Sequence, residues 1–158
     1  MPLLPNQPRL LGFNSHQALS TEHIRAWHSI VAATPTASGK SFIYNLPVLE
    51  RHLRDPDARA LYLFPLKALA QDQLAAFNAL TAAWPKDARP AAALYDGDTT
   101  DHFRRKIRRD PPAVLINNPE MLHLGLLPYT RNGRPLKRSY PYGVWVCAVP
   151  TPAKKGAI

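Results

Sequence analysis

Cysteine is nearly absent from the sequence, with Cys147 the one instance in 158 residues. A single cysteine excludes a disulfide framework within the chain and a cysteine-based zinc site. The histidines do not form an HExxH motif or any similar metal-binding spacing. Long apolar runs are also missing, since no segment reaches the roughly 18 consecutive apolar residues that a membrane span needs. Residues 1–9 lack the charged and then apolar pattern of a secretory signal, so we expect a cytoplasmic protein that does not use a membrane.

Glycine is scarce, at seven residues, whereas proline is abundant, at 17. Acidic residues are also few, with 11 against 20 lysines and arginines, which gives a net charge of +9. This balance favours a polyanionic partner such as nucleic acid, although a solvated basic surface has the same composition. Apolar residues make up 46% of the chain, which is enough for one domain with a buried core.

Four short apolar runs have the character of buried β-strands. They do not alternate with polar residues, as expected for parallel strands that are covered on both faces. The runs are residues 29–33, 60–64, 91–95 and 113–116. Helical spacing connects them, and the clearest apolar stripe extends from Leu66 to Trp84, with Pro85 after it. This alternation predicts an α/β fold in three layers with a parallel sheet.

Each apolar run leads directly into a loop of unusual composition. The loops are Thr34 to Ser41, Pro65 to Ala68, Asp96 to Thr99 and Asn117 to Glu120. If the strands are parallel, all four loops lie at the carboxyl edge of the sheet, which is where open α/β sheets bind their ligands. The sequence therefore predicts one functional edge that carries all four loops.

The first loop ends in Gly39-Lys40-Ser41, between an apolar run and a helical pattern, which is the context of a phosphate-binding loop. Gly39 would let the backbone turn and approach phosphate oxygens closely, and the following helix would add the positive end of its dipole. Lys40 would reach the β- and γ-phosphates of ATP, and the Ser41 hydroxyl would bind Mg²⁺. Thr34 replaces the first glycine of the strict motif, which argues against an ordinary P-loop kinase. Pro47 is expected to kink the helix or to divide it.

The loop sequences resemble the motifs of the superfamily 2 helicases, the DEAD/DEAH-box group. TPTASGKS resembles motif I, in which the first glycine is commonly missing, and PLKALAQDQ resembles motif Ia. GDT resembles the Gly-Asp motif that follows, and NNPEML resembles motif Ib, with Asn117 where threonine is usual. The longer strings ATPTASGKS, LYLFPLKALAQDQL, YDGDT and NPEMLH are similar to bacterial repair helicases related to the RecQ-like group, which carry a cysteine-rich C-terminal domain. The similarity covers residues 15–127.

The resemblance implies a RecA-like P-loop domain that binds ATP, Mg²⁺ and one nucleic-acid strand, with DNA favoured over RNA. The implied ATP-binding residues are Thr34, Pro35, Thr36, Ala37, Ser38, Gly39, Lys40 and Ser41, with Gln17 at the place where these helicases read adenine. The implied nucleic-acid-binding residues are Lys67, Gly97, Asp98, Asn118 and Pro119. Backbone N–H groups at Gly97 and after Asn118 can bind phosphate, although Asn118-Pro119 also fits a plain helix cap. For Gln17, a plain helix-entry turn is an open alternative.

The catalytic residues of these helicases are missing from the sequence. In the family, ATP hydrolysis depends on an Asp-Glu pair after motif Ib, but the sequence has no acidic residue beyond Glu120 and no Asp-Glu pair. Residues 142–149, YGVWVCAV, are the one candidate strand in the basic tail. We therefore expect a truncated helicase, with 1–14 as an extension, 15–127 as an incomplete RecA-like domain and 128–158 as an irregular, non-homologous basic tail. Such a chain would bind ATP with negligible hydrolysis.

Two other functions remain open on the sequence. A small P-loop kinase would use Asp96, at the end of an apolar run, as its Mg²⁺-orienting carboxylate. A non-enzymatic nucleic-acid-binding remnant would use the basic tail as an unspecific hook for polyanions. The basic run 104–109 favours a solvated helix face over a DNA-binding stripe, with Phe103 and Ile107 directed inward. No sequence feature indicates an oligomeric state.

Overall fold

The computed structural model describes residues 14–33, 39–130 and 146–147, and it divides into two compact units between Pro47 and Val48. The helices are α1 (Ser15–Arg25), α2 (Lys40–Arg54), α3 (Lys67–Leu80), α4 (Asp101–Arg109), α5 (Pro119–Met121) and α6 (Leu127–Thr130), with a π-helical stretch at Leu122–Leu126. The strands are β1 (Ala60–Leu63), β2 (Ala92–Tyr95), β3 (Val114–Asn117) and β4 (Val146–Cys147). Helices and strands alternate from α2 to β3, as an α/β fold requires.

The four strands form one parallel sheet in the order β2-β3-β1-β4. The first three confirm the predicted runs 60–64, 91–95 and 113–116 to within one residue at each end. The fourth falls inside the predicted run 142–149, whose other residues lie outside the described part of the chain. The predicted class, an α/β domain with a parallel sheet, is therefore confirmed.

The two inner strands of the sheet carry the core. Leu61 and Tyr62 in β1 and Leu115 and Ile116 in β3 are buried, with at most 1% of each residue exposed. Consecutive residues point to opposite faces of a strand, so their joint burial means that both faces are covered. This explains why the runs that form β1 and β3 do not alternate between apolar and polar residues. The ring of Tyr62 also meets that of Phe77 from α3 edge-on, with centroids 6.5 Å apart.

The prediction of a strand at residues 29–33 is wrong. This segment has no regular secondary structure, and Val31 is 97% exposed. None of the strand pairings of the described residues involves this segment, so it has no sheet partner for its N–H and C=O groups. Apolar character therefore did not suffice to make a strand here.

Helix α2 runs without interruption through Pro47, so of the two effects predicted for this proline, a kink or a division, the division is wrong. Proline removes the hydrogen bond to the carbonyl four residues earlier, which is that of Ile43. Burial offsets this loss, because Ile43, Val48 and Leu49 are all less than 9% exposed. The helix that begins at the phosphate-loop candidate is consequently one 15-residue element.

The predicted apolar stripe of α3 is confirmed in its centre and wrong at its ends. Ala70 is 3% exposed and Phe77 is fully buried. Leu66 is the N-cap residue and 55% exposed, and the helix ends at Leu80, before Trp84. Helical periodicity marks the buried face well, whereas helix ends depend on local capping, which the stripe does not encode.

Helix α4 departs from its prediction in two places. Ile107 is buried as expected, but Phe103 is 54% exposed, and its ring meets that of His102 edge-on with centroids 5.9 Å apart. Arg105 is exposed, as expected for a solvated helix face. Arg104 is not solvated in this way, because its guanidinium donates to backbone carbonyls.

Candidate functional site

The phosphate-loop candidate is described from Gly39 onward. Thr34, Pro35, Thr36, Ala37 and Ser38 lie outside the described residues. Gly39 has φ of 74°, in the left-handed region that glycine enters without a steric penalty. Its carbonyl accepts the N–H of Phe42 at 3.1 Å, which closes the first turn of α2. The backbone thus turns at Gly39 and continues at once into a helix whose N-terminus carries Lys40 and Ser41.

Gln17 lies directly against Gly39. It is 6% exposed, and its Oε1 accepts the backbone N–H of Asn14 at 2.9 Å. Its Nε2 donates to the Gly39 carbonyl at 3.1 Å. A Cβ at position 39 would lie 2.3 Å from this Nε2, so a side chain at position 39 would displace the Gln17 amide. The side chain therefore serves the helix-entry turn and also fixes the start of the phosphate-loop helix.

Ser41 lies one residue into α2, where its hydroxyl hydrogen-bonds the phenol of Tyr44. Burial raises the pKa of Tyr44, and the hydrogen bond with Ser41 offsets part of that rise. The serine oxygen is thereby held beside the helix N-terminus, and hard cations such as Mg²⁺ prefer oxygen ligands. A left-handed glycine, a helix N-terminus, a lysine and a serine hydroxyl fit the needs of a triphosphate with Mg²⁺.

The loops after β1, β2 and β3 lie side by side at one edge of the sheet. Leu63 and Tyr95, the last residues of β1 and β2, both pair with Asn117, the last residue of β3. Because the strands are parallel and end at the same level, the loops that follow them leave the sheet at its carboxyl edge, as predicted. The remaining predicted loop, Thr34 to Ser41, belongs to the other compact unit.

The turn after β2 is organised by its own side chains. One carboxylate oxygen of Asp96 accepts the N–H of Asp98 at 3.1 Å and the hydroxyl of Thr99 at 3.0 Å. The Thr99 hydroxyl accepts the Asp96 N–H at 2.9 Å, and the Thr99 N–H donates to the Asp96 carbonyl at 3.2 Å. The Asp96 carboxylate, 8% exposed as a residue, therefore holds the turn.

Gly97 is the exposed member of this turn. Its φ does not lie in the left-handed region, and a Cβ built on it would meet nothing within 4 Å. Neither backbone conformation nor packing within the described part of the chain therefore calls for glycine at this position, in contrast to Gly39.

Lys67, at the start of α3, forms an ion pair with Asp98. The Asp96 carboxylate is farther from the lysine Nζ, at 3.9 Å. The hydrogen bond that Lys67 donates to the Asp98 carboxylate raises the pKa of the lysine, so the lysine is charged at neutral pH. Two of the predicted nucleic-acid-binding residues are thus brought together, but they are bonded to one another.

Asn118 and Pro119 begin the helical segment after β3. Asn118 is the N-cap residue, with its Oδ1 accepting the N–H of Met121 at 2.6 Å, and Pro119 is the first helical residue. The predicted capping role is therefore confirmed. Pro119 has no N–H and that of Met121 is occupied, which leaves Glu120 as the first residue whose N–H can face a ligand.

The described residues contain no group of three or more metal-ligating side chains. Within the same residues, no helix combines the length and the apolar character that crossing a membrane requires.

Comparison with known proteins identifies the family to which these loops correspond. The family model described as DEAD/DEAH box helicase matches residues 14–139. The ATP-dependent helicase YprA of Bacillus subtilis is 44% identical over 115 residues, which are 73% of this chain and 15% of YprA. The ATP-dependent helicase HRQ1 of Saccharomyces cerevisiae is 38% identical over 122 residues, 77% of this chain and 11% of that protein.

Solved structures give the same result. The crystal structure of the DUF1998 helicase MrfA bound to DNA and AMPPNP matches with a TM-score of 0.68 and 44% identity, and it covers 74% of this chain and 16% of MrfA. A second crystal structure of MrfA matches with a TM-score of 0.70 and 38% identity, and it covers 85% of this chain and 20% of that one. The chain thus spans a fifth or less of the length of these relatives.

Proposed function

The chain belongs to the DEAD/DEAH box helicase family, and from this premise we propose that its residues bind ATP with Mg²⁺ and one strand of DNA, as part of an ATP-dependent DNA helicase. ATP and Mg²⁺ would be held at the Gly39 helix start. The strand would be held at the carboxyl edge of the sheet. The two ligands are considered separately, because they occupy different compact units.

The nucleotide proposal is supported by the arrangement around Gly39. The residues that would hold ATP are Thr34, Pro35, Thr36, Ala37, Ser38, Gly39, Lys40 and Ser41, with Gln17 beside them. Lys40 would neutralise the β- and γ-phosphates, and the Ser41 oxygen would bind the Mg²⁺ that accompanies them. Mg²⁺ would neutralise the charge on the phosphate oxygens when bound. For Gln17 we propose a supporting role, since its amide already bonds Asn14 and Gly39.

Binding of ATP does not imply its hydrolysis by these 158 residues. Phosphoryl transfer to water needs a group that positions the water and groups that stabilise the developing charge. The sequence has no Asp-Glu pair and no acidic residue after Glu120. Asp96, the other candidate for such a role, uses its carboxylate to hold a turn. We therefore propose that this chain by itself binds ATP without appreciable turnover.

The strand proposal depends on Gly97. Its N–H belongs to an exposed turn in which the N–H groups of Asp96, Asp98 and Thr99 are all used. A glycine that the fold itself does not require is explained if a ligand backbone passes too close for a side chain. Phosphate bound to backbone N–H groups is recognised without regard to base sequence, as a motor that moves along a strand requires.

Three further residues contribute to the proposed strand site. The N–H of Glu120, behind the Asn118 cap and Pro119, would bind a second phosphate. Lys67 would have to exchange the carboxylate of Asp98 for a phosphate, so we assign it a smaller share of the affinity. DNA rather than RNA is proposed because MrfA, a related helicase, carries DNA in its solved structure.

The Gly97→Ala variant tests the strand site. We expect the affinity for a fluorescently labelled single-stranded DNA to fall about tenfold, because the added Cβ keeps the phosphate too far from the N–H at position 97 for a charge-assisted hydrogen bond. The temperature of unfolding should not change, since the added Cβ meets nothing. Unchanged DNA affinity in this variant, measured by fluorescence anisotropy, would contradict the proposed contact.

A further inference from the structure

The guanidinium of Arg104 is bonded to three carbonyls of the turn that carries Gly97. Its Nε donates to the Thr99 carbonyl at 2.8 Å, and one of its Nη atoms donates to the Asp96 and Gly97 carbonyls, each at 3.2 Å. Building on the proposed strand contact, we propose that Arg104 is a positioning residue. It holds the turn in the shape that presents the Gly97 N–H to a nucleic-acid phosphate.

Peptide geometry explains how a bond to a carbonyl aims an N–H. The Asp96 carbonyl and the Gly97 N–H belong to the same planar trans peptide, so the two bonds point in opposite directions. Arg104 and the Thr99 N–H both bond the carbonyl. The N–H is thereby directed away from the guanidinium, toward the open side of the turn. A cation on the carbonyl also polarises the peptide and strengthens its N–H as a donor.

The guanidinium of Arg104 also lies against a buried aromatic ring. Its guanidinium carbon lies 5.7 Å from the ring centroid of Tyr95, which is fully buried at the end of β2. The Tyr95 hydroxyl donates to the Gly125 carbonyl at 2.9 Å. A Cβ at Gly125 would lie 2.8 Å from the tyrosine ring, so the glycine permits this close contact.

These contacts join two parts of the proposed strand site. Tyr95 and Arg104 connect the Gly97 turn, after β2, with the helical segment after β3 that begins at Pro119. A buried aromatic ring therefore links the two loops. Arg104 keeps the two phosphate contacts at a fixed spacing without touching the strand.

The competing explanation is that Arg104 binds phosphate directly. Two of its three guanidinium nitrogens already donate to backbone carbonyls, which argues against direct binding. The two explanations predict a different dependence of DNA affinity on salt concentration. Each lost contact between a lysine or arginine and a phosphate of a single strand makes the fall of log affinity with log salt shallower by about 0.7, because one counterion fewer is released. A positioning residue weakens binding without changing that slope.

Arg104→Gln and Arg105→Gln form a matched pair for the test. Both remove one positive charge from α4, but Arg105 is exposed. We expect Arg104→Gln in the full chain to weaken binding of labelled single-stranded DNA about fivefold or more at every salt concentration. The slope should equal that of the wild type, and Arg105→Gln should stay within about twofold of it. Arg104→Lys should not restore binding, because an ammonium lacks the planar fork that bonds several carbonyls.

Amide hydrogen exchange supplies a readout that needs no DNA. Exchange at Asp98 and Thr99, whose N–H groups close the turn, should be faster in Arg104→Gln than in Arg105→Gln. Equal exchange and equal DNA affinity in the two variants would overturn the inference, as would a reduced salt slope or full rescue by lysine. If Gly97→Ala binds DNA as the wild type does, the proposed strand contact fails. The exchange result then still decides whether Arg104 orders the turn.

Discussion

Replacement of Gly39 by alanine tests the local structure of the phosphate-loop candidate most directly. Alanine in the left-handed region costs about 1–2 kcal/mol, and Gly39 lies there with φ of 74°. The new Cβ would also lie 2.3 Å from the Nε2 of Gln17. The amide must then move and give up its hydrogen bond to the Gly39 carbonyl, at a cost of about 1–2 kcal/mol for a buried donor. We expect Gly39→Ala to lower the free energy of unfolding by about 2–4 kcal/mol.

The measurement is urea denaturation followed by circular dichroism, with hydrogen exchange to locate the effect in α1 and the first turn of α2. Gly97→Ala is the matched control, because the same substitution there meets no atom and no unusual φ. It should change the free energy of unfolding by less than about 0.5 kcal/mol. Comparable losses in both glycine variants would show that the cost at position 39 is the general cost of replacing glycine.

A double variant separates the two sources of the cost. In Gln17→Ala the amide that obstructs position 39 is gone, so Gly39→Ala should cost less in that background, with a coupling of about 1 kcal/mol. The remaining cost is the left-handed conformation itself. Strict additivity of the two substitutions would refute the claim that Gln17 and Gly39 constrain one another.

Two further predictions concern the nucleotide and the cap. The wild-type chain should release phosphate from ATP no faster than the Lys40→Ala variant, with or without DNA, because the sequence has no Asp-Glu pair. Phosphate release that DNA stimulates above the level of this variant would contradict the prediction. Asn118→Ala should lower the free energy of unfolding by about 1 kcal/mol, since the Met121 N–H loses its acceptor, whereas Asn118→Asp keeps an acceptor and should leave stability close to wild type. Equal losses in the two Asn118 variants, measured by thermal unfolding, would count against a capping role.

The inner strands β1 and β3 were predictable because burial on both faces leaves an uninterrupted apolar run in the sequence. Runs such as 113–116 are apolar throughout, and sharp loops bound them. Residues 29–33 have the same record but form no strand. A strand also needs a partner strand for its N–H and C=O groups, and apolar composition carries no information about which segments pair.

Residues of the candidate site were predictable only where the local backbone structure favours one particular amino acid. Gly39 and Asn118 belong to this class, because a left-handed turn and a helix cap each favour particular residues. Arg104 does not, because it stands in a run of basic residues of similar composition. Arg104 differs from its basic neighbours only in the structure, where its guanidinium bonds carbonyls of a turn five to eight residues earlier. In the sequence, only its spacing from Gly97 relates it to that turn, and this spacing predicts a contact only once the fold is known.

The net charge of +9 says little about the proposed strand site itself. Around the turn, the positive charges of Lys67 and Arg104 are balanced by the negative charges of Asp96 and Asp98. Six lysines and arginines lie instead in residues 128–158, which have no acidic residue. Binding through N–H groups of a locally neutral turn releases few counterions, whereas binding through many lysines and arginines releases several. Raising the salt concentration should therefore remove unspecific binding first, and the difference between wild type and Gly97→Ala should be clearest at high salt.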